Sequence, residues 1–206
     1  MTDIFDGELY KSLKNGVRVF KSKRKASLWP IQMFINEVLP SKRFKQENII
    51  LNGIWFGTDP VFEIYLKPLI EELKNLEENK ILVQNNNVDN VAVTVRVLFV
   101  SADAPARCKV LKFKQYNGEF GCTYCLHPGF MVGASTTSKY TLSLEGYKLR
   151  THASTVALIN SLLTTGKEIL GVMGVSPLIG FKDYDLILGT AIDYMHCVLE
   201  GFFCNY

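Results

Sequence analysis

Apolar and polar positions alternate most cleanly from Val91 to Val100, where Val-Ala-Val-Thr-Val-Arg-Val-Leu-Phe-Val reads as a strand. It runs directly into Ser101-Ala102-Asp103-Ala104-Pro105. Three shorter runs precede it. Gly16–Phe20 alternates and ends in a basic stretch. Ile31–Leu39 is entered through Trp29-Pro30 and stopped by Pro40, and Asn48–Phe56 closes on the turn signal Gly57-Thr58-Asp59-Pro60. Phe62, Tyr65, Leu66, Leu69, Ile70 and Leu73 then recur at helical spacing. Asp59 is the expected N-cap and Pro60 the first helical residue, with a kink at Pro68. Residues 85–90 read as a loop and 106–113 as a helix. Residues 129–140, rich in Gly, Ser and Thr, read as a mobile loop. A helix is expected over His152–Leu163, with Val156, Ile159 and Leu163 on one face. Residues 166–180 are punctuated by glycine, and 192–203 read as a last apolar helix.

Three hairpin-linked strands, a crossover helix and a parallel fourth strand open the ribonuclease H topology. The expected fold class is therefore α/β: a ribonuclease H-like mixed sheet with flanking helices, incomplete as given. One truncated domain is expected over 1–206, with 1–15 an upstream remnant and 126–150 a loop-rich insertion. In that topology the fourth strand lies beside the first, about 4.8 Å away. Carboxylates on those two strands and on a later helix can then share divalent ions in phosphoryl transfer.

Composition narrows the class. A hydrophobic content of 48% over 206 residues supports a real core and excludes a disordered chain. The net charge of +3 is too small to establish a nucleic-acid partner, but its distribution is uneven. Arg18, Lys21, Lys23, Arg24 and Lys25 crowd together, and Lys42, Arg43 and Lys45 follow. Such a run either contacts phosphates or forms a solvated, charged loop. No apolar run reaches membrane-spanning length, and Met1-Thr2-Asp3 opens no signal peptide, so an intracellular protein, nuclear or cytoplasmic, is expected.

Five cysteines, Cys108, Cys122, Cys125, Cys197 and Cys204, in such a chain favour metal binding over disulfides. Cys122-Thr123-Tyr124-Cys125 has the spacing of half a zinc site, with His127, His196 and Cys197 as candidates to complete it; the alternative is a pair of reduced thiols in a turn. Asp103, at the exit of the best strand, is either a metal ligand or the N-cap of the next helix. Asp193 and His196 share a helix face at i, i+3 and either order a site or form a capped, partly buried histidine. Trp29 and Trp55 are read as core or hairpin packing.

The ordered set of segments resembles the catalytic region of CACTA-type (En/Spm-like) cut-and-paste DNA transposases. It includes Asn15-Gly16-Val17-Arg18-Val19-Phe20, Ser27-Leu28-Trp29-Pro30-Ile31 and Glu47–Gly57. Ala102–Cys108, Gly121–Gly129, Gly174–Leu178 and Asp193-Tyr194-Met195-His196-Cys197 follow in the same order. The resemblance implies a ribonuclease H-like fold, cleavage and joining of DNA strands, DNA as partner, and Mg2+ or Mn2+. By the same resemblance Asp103 matches the second catalytic acid. Asn15 stands where the first acid is expected, and an amide holds a hard cation weakly. Asp193 and His196 match an Asp-x-x-His string lying between the second and third acids. The third acid has no match, and Glu200 does not fall at its position.

The expected function is thus a transposase-derived domain, inactive as given. The alternatives are a non-catalytic DNA- or protein-binding module, and a small zinc-stabilised binding protein. Self-association is left open.

Overall fold

The computed structural model describes residues 27–85, 88–131, 138–140 and 146–193. The chain divides into two compact units, Met1–Val61 and Phe62–Tyr206. The expected strand at 16–20, the basic run at 18–25, Asn15, His196 and Cys197 lie outside the described residues.

In the first unit, β1 (Ser27–Phe34) pairs antiparallel with β2 (Ile49–Gly57). Trp29 stands opposite Trp55 in the register, and a shift falls between Ile31 and Gln32. The hairpin uses both tryptophans as a cross-strand pair. Their indole N–H groups are spent locally, Trp29 on Ser27 Oγ and Trp55 on the Thr58 carbonyl, each at 2.8 Å. The strand expected over 31–39 begins earlier and ends at Phe34. Beyond it the chain turns, and Arg43 fastens the turn by donating to the carbonyls of Val38 and Asn36. Between the strands lie α1 (Pro40–Arg43) and a 3-10 turn (Gln46–Asn48).

The second unit opens with α2 (Phe62–Tyr65) and α3 (Lys67–Asn79). The break before Pro68 is the expected kink: proline clashes with the preceding turn and removes a donor. The helical stretch starts at Phe62 rather than Pro60, so Asp59 lies ahead of its first turn. Phe62, Leu66, Ile70, Leu73 and Glu77 form its buried face. β3 (Ile81–Asn85) and β4 (Val88–Val93) make an antiparallel hairpin around what reads as a loop in the sequence. The single strand expected over 91–100 is therefore divided. Its first part pairs with β3. Its last residue begins β5 (Val100–Ala102), which pairs in parallel with β8 (Thr190–Ile192). Two ends of one apolar run serve two different partners, which alternation alone does not reveal.

Next come α4 (Ala104–Leu111), the short strands β6 (Phe130–Met131) and β7 (Ser138–Lys139), and α5 (His152–Thr165). A 3-10 turn over Pro177–Gly180 leads towards β8. Thr151 opens α5 with a capping box shared with Ser154, and Gly166 closes it at φ 68°. The buried face of α5 carries Thr155 and Ile159, whereas Leu163 is 64% exposed, so the apolar stripe is rotated from the expected one. Thr190–Ile192 is strand, so the expected last helix does not begin at 192. The core gathers Cys108, Leu111, Phe113, Ile159, Val172, Leu186 and Ile187. The architecture of the described residues is mixed α/β, built from small two-stranded sheets and five α-helices.

Candidate functional site

Parallel pairing of β5 with β8 sets the site. Val100, Ser101 and Ala102 stand opposite Thr190, Ala191 and Ile192. The next residue on each strand is an aspartate: Asp103 on one, Asp193 on the other. Both strands point the same way, so both carboxylates leave the sheet at the same end. Neighbouring strands lie about 4.8 Å apart, close enough for two such side chains to share one cation.

Asp103 has extended backbone angles and caps α4, its Oδ1 accepting the Ala106 N–H at 2.7 Å. Pro105 lies in the first turn, where its missing N–H costs nothing. The N-cap reading of Asp103 is therefore realised. It leaves Oδ2 and further lone pairs for other work.

The edge is fastened from below. Tyr124 donates its hydroxyl to the Thr190 carbonyl at 2.5 Å. Tyr184 donates to the Gly189 carbonyl at 2.9 Å and contacts Thr190 Oγ1 at 3.0 Å. Burial pushes the Tyr184 phenol above its ordinary value, so it stays a donor. Arg107, one helical turn beyond Asp103, is 7% exposed, and the Tyr124 ring lies 5.7 Å from its guanidinium carbon. Its Nε and Nη1 meet no acceptor among the described residues.

Cys122 and Cys125 lie on the turn that carries Tyr124. Tyr140 holds this turn, accepting the Gly121 N–H at 2.7 Å and donating to the Gly118 carbonyl. A Cβ on Gly121 would come within 2.1 Å of the Gln115 carbonyl oxygen, so only glycine allows this approach. Arg150 is the main clasp. It is 4% exposed and donates to the carbonyls of Cys122, Phe120 and Leu170 at 3.0, 3.0 and 2.7 Å. Burial lowers its ionisation from the ordinary value, and the groups that raise it are Cys122, Cys125 and Tyr140. Burial likewise pushes the Cys125 and Cys108 thiols up.

His127, a candidate ligand by sequence, is packing. Its Nδ1 accepts the Gly129 N–H at 2.8 Å and its ring lies against Phe130, Tyr140 and Tyr147. Among the described residues, no group of three or more His, Cys, Asp or Glu is arranged to hold a metal ion. The structure thus brings Asp103 and Asp193 to one edge, and Cys122 and Cys125 to one turn.

Sequence reasoning missed Arg107 and Arg150 as site residues. Their only signal is position, Arg107 four residues after a helix-capping aspartate and Arg150 immediately before the Thr151 cap. Neither spacing announces burial.

These features define a small mixed α/β protein with a carboxylate-bearing strand edge and a cysteine knuckle beside it. Residues 10–161 match the family described as "Protein of unknown function (DUF1258)". That match covers more than half of the chain, and the protein belongs to this family. No curated protein and no solved structure matches it.

Proposed function

We propose that the chain is a transposase-derived domain with a ribonuclease H-like core, which engages DNA through a divalent cation at the β5/β8 edge. One observation carries the reading: two parallel neighbouring strands are each followed at once by an aspartate, Asp103 and Asp193, at the same end of the sheet. Parallel strands joined through helical segments belong to α/β cores, whose ligands bind at the strands' carboxyl ends.

The donor set suits Mg2+ or Mn2+. Both side chains offer hard oxygen, and Mg2+ is commonly held by one or two carboxylates plus substrate phosphates. Asp103 and Asp193 would be the protein ligands. Bound there, the cation supplies positive charge to phosphate oxygens of the DNA backbone. The residues around it do the rest. The Ala106 N–H fixes Asp103, Tyr124 and Tyr184 fix β8, and Arg107 adds a buried positive charge one turn away.

With Asn15 in place of the first acid, strand cleavage is not expected. The function proposed is cation-dependent DNA binding. No helix among the described residues is long and apolar enough to cross a membrane.

Fluorescence anisotropy with a labelled DNA duplex tests this. The full chain should bind in Mn2+ and lose most affinity in EDTA, and Asp103→Asn should bind as weakly in Mn2+ as the parent chain does in EDTA. Equal affinity in all three conditions would sink the proposal.

A further inference from the structure

Cys122 and Cys125 are free thiols, both partly exposed, whereas Cys108 is wholly buried. The chain bends between them at Thr123 and Tyr124, and the Cys122 thiol stands within hydrogen-bonding reach of Cys125. A four-residue bend holds its end Cα atoms within about 7 Å of each other, the span that a disulfide bridges. The surrounding backbone fixes this bend. Tyr140 holds Gly121, and Arg150 draws in the carbonyls of Phe120 and Cys122. On the far side, the Leu126 N–H donates to the Lys148 carbonyl at 2.9 Å and the Arg150 N–H to the Tyr124 carbonyl at 2.8 Å, with Cys125 bridged to Leu149. The Tyr124 hydroxyl ties the middle of the bend to β8. Two thiols held in this way meet each other far more often than they would on a flexible chain.

The two sulfurs are not equivalent. Cys122 Sγ accepts the Tyr124 N–H at 3.5 Å, and the Arg150 guanidinium is hydrogen-bonded to the carbonyl of the same cysteine at 3.0 Å. A guanidinium keeps its proton at any pH the fold survives. No carboxylate forms a salt bridge with Arg150 among the described residues. A nearby positive charge and a donated N–H both favour the thiolate, which is the attacking form. We propose that Cys122 and Cys125 are a redox dithiol whose co-substrate is a small disulfide of the glutathione type, with Cys122 attacking and Cys125 resolving. Cys122 releases its proton to solvent and attacks one sulfur of the co-substrate. The co-substrate's S–S bond breaks, one half leaves as thiolate, and the other half stays joined to Cys122. Cys125 then loses its proton and attacks Cys122 Sγ, the Cys122–Cys125 disulfide forms, and the second half leaves. Two electrons pass from the protein dithiol to the co-substrate, and its two halves take up the two protons. The reaction needs neither DNA nor a divalent cation, so it stands or falls apart from the DNA-binding function.

Equilibration of the full chain with mixtures of reduced and oxidised glutathione tests this, with thiols blocked in acid and the peptides mapped by mass spectrometry. In oxidised glutathione Cys122 should be joined to Cys125, and excess reduced glutathione should reverse the bond. The equilibrium constant should be at least about tenfold larger for the folded chain than for the chain in urea, because the bend is already formed. Cys125→Ser should stop with one glutathione on Cys122. Cys122→Ser should take glutathione onto Cys125 at least about tenfold more slowly. Both thiols remaining free at every ratio, or an equilibrium constant no larger in the folded chain than in urea, would overturn the dithiol. Mixed disulfides forming equally fast in the two serine variants would overturn the assigned roles. If a serine variant fails to fold, partial iodoacetamide labelling of the parent chain decides the roles. Faster labelling of Cys122 supports them, and equal or faster labelling of Cys125 overturns them.

Discussion

Tyr124 donates its hydroxyl to the backbone carbonyl of Thr190 at 2.5 Å, joining the cysteine turn to β8, the strand that leads into Asp193. The two features with candidate chemistry therefore share one mechanical link. Tyr124→Phe keeps the ring under Arg107 and removes only the hydroxyl. It should lower stability by about 1–2 kcal/mol, the cost of leaving one buried carbonyl short of its donor. Urea denaturation of the two chains checks this.

Gly171 sits at φ 79°, and a Cβ there would lie 2.3 Å from the Phe120 carbonyl oxygen. The obstacle is backbone and cannot swing aside. Gly171→Ala should destabilise the chain by more than the ~1 kcal/mol typical of a substitution. Gly166→Ala provides the control. It meets a similar positive φ of 68° but nothing within 4 Å, so its cost should be the smaller of the two in a thermal melt.

Asp103 has two separable roles. Capping needs an acceptor oxygen, which asparagine also supplies, whereas cation binding needs the charge. Asp103→Ala should cost about 1 kcal/mol of stability. Asp103→Asn should melt within a few tenths of the parent. Circular dichroism melts of the two variants separate these roles.

Glu63 receives a hydrogen bond from the Lys112 ammonium, which holds its carboxyl below the ordinary 4.5. A lowered folded value means that this pair stabilises the protein above about pH 4.5 and ceases to as pH falls through the folded value. Glu63 is 52% exposed at its side chain, so solvent screening keeps the contribution below about 1 kcal/mol. Glu63→Gln should melt slightly lower than the parent at pH 7 and at the same temperature near pH 2.5.

The sequence disclosed what local chemistry controls. Asp103-Ala104-Pro105 announced a capped helix, and Pro68 announced a break. It did not disclose partnerships. Val91–Val100 reads as one strand because every residue obeys the same alternation, yet Val93 faces Ile81 while Val100 faces Thr190. Ile81-Leu82-Val83 does not announce itself as a strand, because its run is short and follows a helix closely. Of the site, Asp103, Asp193 and the cysteine pair were visible as residue types. The turn at Cys122–Cys125 is legible from the spacing, but the meeting of the two aspartates at one edge is not, since it depends on the pairing of β5 with β8.

Manganese uptake by the full chain, followed by the loss of the free Mn2+ electron paramagnetic resonance signal, is the most direct measurement. The parent chain should remove Mn2+ from solution, and Asp103→Asn and Asp193→Asn should each bind it at least about tenfold more weakly while melting like the parent. Uptake that is absent in the parent, or unchanged in both variants, would show that the paired strand ends carry no cation site.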